Sequence, residues 1–202
     1  MHLLSIYAAA TAFATSYGTV YDLYRNGSSP QQLASAVASY TRVSSFTAFF
    51  LGNAASNQTV ASITDATLKA FYFLEDAGIG NNVTLEALRV EPLSDATSLC
   101  WLTWRIHPRT GSGFESFSWT TLYGYRSELD VLAGIEVPGG NGSETEDMRR
   151  EEEEGASTEK HCGSEGARPS GGWEFGVNDD EIVKFSSRIP NYIDSYVFPT
   201  RT

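Results

Sequence analysis

The chain has 202 residues, 41% of them hydrophobic and only 19% charged, yet it carries a net charge of −11. That balance fits one domain with a modest core. It excludes a nucleic-acid binder, which needs a basic footprint, and it disfavours docking on an anionic membrane. No apolar run reaches the ~18–20 residues that cross a bilayer, and two cysteines make neither a disulfide framework nor a cysteine zinc site.

Residues 3–25 read as one helix, because Phe13, Tyr17, Val20, Tyr21 and Tyr24 recur on one face of a 3.6-residue period. Asn26-Gly27 ends it. Ser29 as N-cap and Pro30 at the first position open a second helix through Leu33, Val37 and Tyr40. Residues 43–51 are apolar and aromatic and predict a strand, followed by a polar loop over 53–60. Thr64 reads as the N-cap of a third helix carrying Leu68, Phe71, Tyr72 and Glu75 and closed by Gly78 and Gly80.

The period then changes to two. Residues 83–90 are strand-like. In 99–107, Cys100, Leu102, Trp104 and Ile106 share one face, and Cys100 reads as a buried small hydrophobe. In 117–125, Phe117, Trp119, Thr121, Tyr123 and Tyr125 share a face, and Pro108, Gly111 and Gly113 mark the turn between these two strands. Trp173, Phe175 and Val177 are placed on one face of a further strand. Asn178-Asp179-Asp180 reads as a turn, and 182–189 as a last strand.

Charge is concentrated between Ser127 and Gly171, which hold twelve acidic residues and four basic ones, including the run Glu151-Glu152-Glu153-Glu154. Such a stretch buries too little to offset its ordering entropy. It reads as a disordered acidic insertion: a solvated loop, a bait for a basic partner, or translated intron sequence. Tyr125-Arg126 before it and Gly172-Trp173 after it look like two neighbouring strands cut apart. The domain is thus drawn as 1–126 plus 172–196, with the insertion at 127–171 and a tail at 197–202.

The order of helices followed by strands means α+β: three N-terminal helices packed on an antiparallel sheet. It resembles the nuclear-transport-factor-2-like superfamily, also called SnoaL-like. The features that carry the resemblance are the aromatic first helix at Tyr17, Tyr21 and Tyr24, the helix ending at Gly78, and the tryptophan-rich strands 100–106 and 117–125. A closing pair, Trp173-Glu174-Phe175 and Ile182-Val183-Lys184-Phe185, completes it. The resemblance implies a strongly curved, cone-shaped sheet around a cavity. It also implies one of several roles: binding of a small apolar ligand, homodimerisation, a protein-interaction module, or a cofactor-free isomerase, dehydratase or cyclase acting on a polyketide-like or polycyclic substrate.

Enzymes of that kind use a carboxylate or histidine base in an apolar cavity with a tyrosine as oxyanion donor. The candidates here are Tyr17, Tyr21, Asp22 and His107, with Tyr21, Trp104, Trp119 and Tyr123 as cavity lining. His2 is terminal and His161 lies in the insertion, so no pair of strand histidines is available for a dehydratase. The strand acids Glu86, Glu91 and Glu174 fall on no inward face. With no phosphate loop, dinucleotide fingerprint or nucleophile elbow, and only His161-Cys162 as paired metal ligands, no cofactor or metal is expected. A cytoplasmic location is expected. Residues 3–14 as a signal core cleaved after Ala14, together with sequons at Asn26, Asn57, Asn82 and Asn141, carry the secreted alternative.

Overall fold

The computed structural model describes residues 3–42, 46–128 and 170–192. Most of the acidic insertion, His2, His161, Cys162, Asn141 and the tail lie outside them. The elements run α1 (Leu3–Thr19), α2 (Asp22–Arg25), α3 (Pro30–Ala38), β1 (Phe46–Phe50), β2 (Asn53–Gln58), α4 (Val60–Asp76), β3 (Val83–Pro92), β4 (Thr97–Ile106), β5 (Phe117–Arg126), β6 (Gly172–Val177) and α5 (Asp179–Ser186). The strands form one open sheet in the order β2-β1-β6-β5-β4-β3. The class is α+β as expected, but the sheet is mixed and not antiparallel throughout, because β6 pairs parallel to β1.

The first helix is two. Gly18 is a weak helix former and the β-branched Thr19 and Val20 follow it, so α1 stops at Thr19 and a short turn leads into α2. Gly18 also has a packing reason to be small: a Cβ there would lie 2.8 Å from Leu85 Cδ2 on β3. Along α1, Ile6, Ala10, Phe13 and Ala14 are fully buried, so cleavage after Ala14 would remove all four from the core. Ser29 and Pro30 open α3 as expected, and Ser29 forms a reciprocal capping box with Gln32. Tyr40 lies just past the end of α3, with its ring 5.2 Å from that of Phe13.

The region 53–60 is not a loop. Leu51 and Gly52 both adopt positive φ, 46° and 80°, the geometry of a tight hairpin turn. β2 then pairs antiparallel with β1. Its sequence, Asn-Ala-Ala-Ser-Asn-Gln, shows no apolar alternation because it is a largely exposed edge strand. α4 starts one turn earlier than expected, with Thr59 as N-cap boxed by Ser62, while Thr64 lies inside the helix and donates to Val60 O.

β4 and β5 bury the expected faces: Cys100, Leu102, Trp104 and Ile106 point inward with Phe117, Trp119 and Tyr125. Burial pushes the Cys100 thiol up to about 12, so it is an inert core group. β5 and β6 pair antiparallel although residues 127–171 separate them. A bulge between Gly124 and Tyr125 turns Trp173 inward opposite Tyr125, while Phe175 sits opposite Gly124. Trp173 and Phe175 therefore face opposite sides, contrary to the single face read from spacing. The ring of Phe175 lies so close over Gly124 that a Cβ there would be 2.2 Å from it.

The closing strand is a helix. Ile182, Phe185 and Ile189 are buried at a spacing of three and four, and Asp179, Asp180 and Glu181 occupy the first turn of α5, where the helix dipole favours acids. The closing pair is therefore a strand and a helix. Five helical segments, not three, occur among the described residues. Helices α1 and α5 pack on β3, β4 and β5.

Candidate functional site

Two aromatic residues on the inner sheet face, Tyr123 of β5 and Trp173 of β6, come together with Tyr17 of α1. Tyr17, from α1, sets its ring 5.6 Å from Trp173 and 5.7 Å from Tyr123, both near-perpendicular, and Trp173 stacks on Tyr123 at 4.7 Å. The Tyr17 and Tyr123 hydroxyls lie 3.4 Å apart. Tyr21, after the end of α1, stands edge-on to Tyr17 and to Phe71 of α4. These rings are held in place because Phe13 and Tyr40 pack behind them and Trp104 of β4 contacts both Tyr17 and Tyr21.

Between these rings and α4 lies a cavity of about 120 Å3. That is large enough for more than one water, which needs ~10–15 Å3, and small beside the ~300–1,000 Å3 of pockets for drug-sized ligands. Its polar groups are the hydroxyls of Tyr17, Tyr21, Tyr123, Thr41 and Thr67, the amide of Asn178, and Glu181. Glu181 is the one charged residue among the described lining.

Glu181 owes its place to its neighbours in the first turn of α5. Asp179 Oδ1 accepts the Leu51 N–H at 2.6 Å, and Asp180 Oδ2 accepts the Thr120 N–H at 2.8 Å. The two bonds pin the helix start between the β1–β2 turn and the part of β5 before Leu122, which β6 does not pair. The third acid then lines the cavity, with Oε1 accepting from Tyr192 at 3.1 Å.

The phenols are held neutral. Burial pushes Tyr17 up to about 12 against the Tyr123 hydrogen bond, and the Glu181 charge adds to the rise. Burial likewise raises Tyr21 and Tyr123 well above the usual tyrosine range, with the charge on Glu181 again contributing. At neutral pH the site thus offers hydroxyl donors beside a carboxylate. Trp173 Nε1 is fully buried, has no hydrogen-bond partner among the described residues and shows no surface to the cavity.

Of the residues singled out from sequence, Tyr17, Tyr21 and Tyr123 meet in the cavity lining and Trp104 backs them. Trp119 lies elsewhere on the inner face, against Phe117 and Phe185. Asp22 is paired with Arg25 on the surface of α2. His107, at the end of β4, has Nε2 3.0 Å from Thr84 Oγ1. Neither Asp22 nor His107 lines the cavity. Glu181, Thr67 and Asn178 were not anticipated. The available signal was the helical spacing of Ile182, Phe185 and Ile189, which makes Asn178-Asp179-Asp180 a helix start. Among the described residues no group of three or more His, Cys, Asp or Glu could hold a metal ion.

No family model matches the sequence, and no curated protein matches it. A solved structure, an NTF-2-like protein of unknown function from Shewanella oneidensis MR-1, is similar with a TM-score of 0.39 and 8% identity, over 58% of this chain and 87% of that one. The described residues form a six-stranded mixed sheet with helices, an α+β arrangement. No helix among the described residues is long and apolar enough to cross a membrane.

Proposed function

We propose that this chain is a SnoaL-like, cone-shaped member of the nuclear-transport-factor-2-like superfamily that binds a small, largely apolar molecule in the cavity between α1, α4 and the sheet. The observation that carries this is the cavity itself: about 120 Å3, walled by aromatic rings and furnished with a few convergent polar groups. That size suits a ligand well below the polycyclic class. The test is a ligand-observed NMR screen of small aromatic and alicyclic compounds against the full chain and against Ala66→Leu, which fills the cavity from α4. Hits that bind the wild type and not the variant support the reading; hits indifferent to the variant overturn it.

Glu181 favours a second reading, a cofactor-free isomerase acting on a small carbonyl compound. Its carboxylate would take a proton from the carbon between the carbonyl and a C=C bond, the C–H electron pair would form a new C=C bond to the carbonyl carbon, and the C=O π pair would move onto the oxygen. A neutral tyrosine hydroxyl would donate to that oxygen, and the proton would return to another carbon. Exchange of solvent deuterium into small ketones, present with the wild type and lost in Glu181→Gln, supports this reading; equal exchange in both removes it.

A further inference from the structure

We propose that the cavity selects a small organic ammonium ion over a neutral molecule of the same shape. The inference rests on the ligand-binding reading and specifies its chemistry. Six aromatic residues line the cavity: Tyr17, Tyr21, Phe46, Phe71, Tyr123 and Trp173. Several stand at steep angles to one another, with Tyr17 at 76° to Tyr21 and 75° to both Tyr123 and Trp173, and Tyr21 at 76° to Phe71. Trp173 and Tyr123 stack on each other while the others meet edge to face, so aromatic rings bound the space from several sides, and the faces of aromatic rings carry the negative side of their quadrupole. A box of such walls attracts a cation, most strongly one whose charge is spread over methyl groups and is cheaply desolvated.

The charged group in the lining has the matching sign. Glu181 enters at the start of α5, and its negative charge is felt across the cavity by all three tyrosines. An anionic ligand would meet that carboxylate in a site whose described lining holds no Lys or Arg. A short alkylammonium would satisfy both features: methyl groups against the rings and positive charge toward Glu181.

The test compares choline with the neutral alcohol in which carbon replaces its nitrogen, titrated into the full chain and followed through the Trp173 indole N–H resonance. We expect choline to bind about tenfold more tightly or better, since a desolvated cation–π contact is worth roughly 2 kcal/mol and 1.4 kcal/mol is tenfold. In Glu181→Gln the ratio should fall toward one. Equal or tighter binding of the neutral alcohol to the wild type overturns the cation preference and leaves ligand binding standing. Saturation by neither probe overturns the cation preference, while hits from the Ala66→Leu screen decide ligand binding separately. Choline shifting the Trp101 resonance on the outer face and not that of Trp173 also overturns the proposal. The comparison of two probes on the unaltered chain stands whether or not the variant folds.

Discussion

Two glutamates sit beside tyrosines in this molecule, and they are handled in opposite ways. Glu75, in the last turn of α4, is fully engaged: Oε1 accepts the Tyr24 hydroxyl at 2.7 Å and the Asn81 amide at 2.8 Å, and Arg109 pairs with Oε2. Arg109 also donates to Tyr24, and the side chain of Asn81, fully buried, reaches back to Phe71 O. The cluster ties α2, the end of α4 and the β4–β5 turn together. Glu181 instead lines a cavity beside hydroxyls that titrate late. The difference teaches that residue types do not mark a site. Glu75 is a joint between elements, whereas Glu181, which accepts from Tyr192, also lines a cavity.

Substitutions sharpen the contrast, beginning with a residue common to core and cavity. Trp173→Ala removes a fully buried ring that touches Phe13, Tyr17, Tyr123 and Tyr125. It should cost about 3–5 kcal/mol, read from the urea midpoint at constant m. Glu75→Ala should cost about 1–2 kcal/mol, because the Tyr24 hydroxyl loses its acceptor and the Asn81 amide keeps only Phe71 O; Arg109, about half-exposed, supplies little of that. Glu181→Gln should change stability by under ~1 kcal/mol. A loss from Glu181→Gln as large as that from Glu75→Ala would make both acids joints and erase the distinction.

The pH dependence separates the clusters further. Tyr17 binds its proton more tightly folded, at about 12 against an unfolded value of 10.0. Above pH 10 the unfolded chain therefore releases the proton first, and stability falls between pH 10 and 12. The buried phenols Tyr21 and Tyr123 extend that loss in the same direction. Denaturant midpoints at pH 9 and pH 11 should show the drop, and Tyr17→Phe should flatten part of it. The smallest effect expected is about 1 kcal/mol for Ser29→Ala, which removes the α3 cap and touches neither glutamate.

The legible parts of the fold were those where one face meets the core continuously. β4 and β5 alternate because each is buried on one side along its whole length, and α3 announces itself through Ser29 and Pro30. β2 was illegible because an exposed edge strand needs no apolar pattern. α5 was misread because Ile182 and Phe185 also fit a short strand, and that error hid Glu181. Tyr17 and Tyr21 could be named from the stripe on α1. The cavity could not, since its walls come from α1, α3, α4, β1, β5, β6 and α5, and no local pattern records how far apart those elements stop.

The place of β6 has a consequence for synthesis. It is the central strand that joins the β1–β2 hairpin to the β3–β4–β5 meander, yet it follows β5 by more than forty residues of chain. A nascent chain that has just completed β5 holds two half-sheets, each with an edge awaiting the same partner. Until Gly172–Val177 leaves the ribosome, those edges are open to strands of other chains. The interval between translating β5 and β6 is therefore the window in which a chaperone would protect this protein, and slowing translation there should lower the soluble yield.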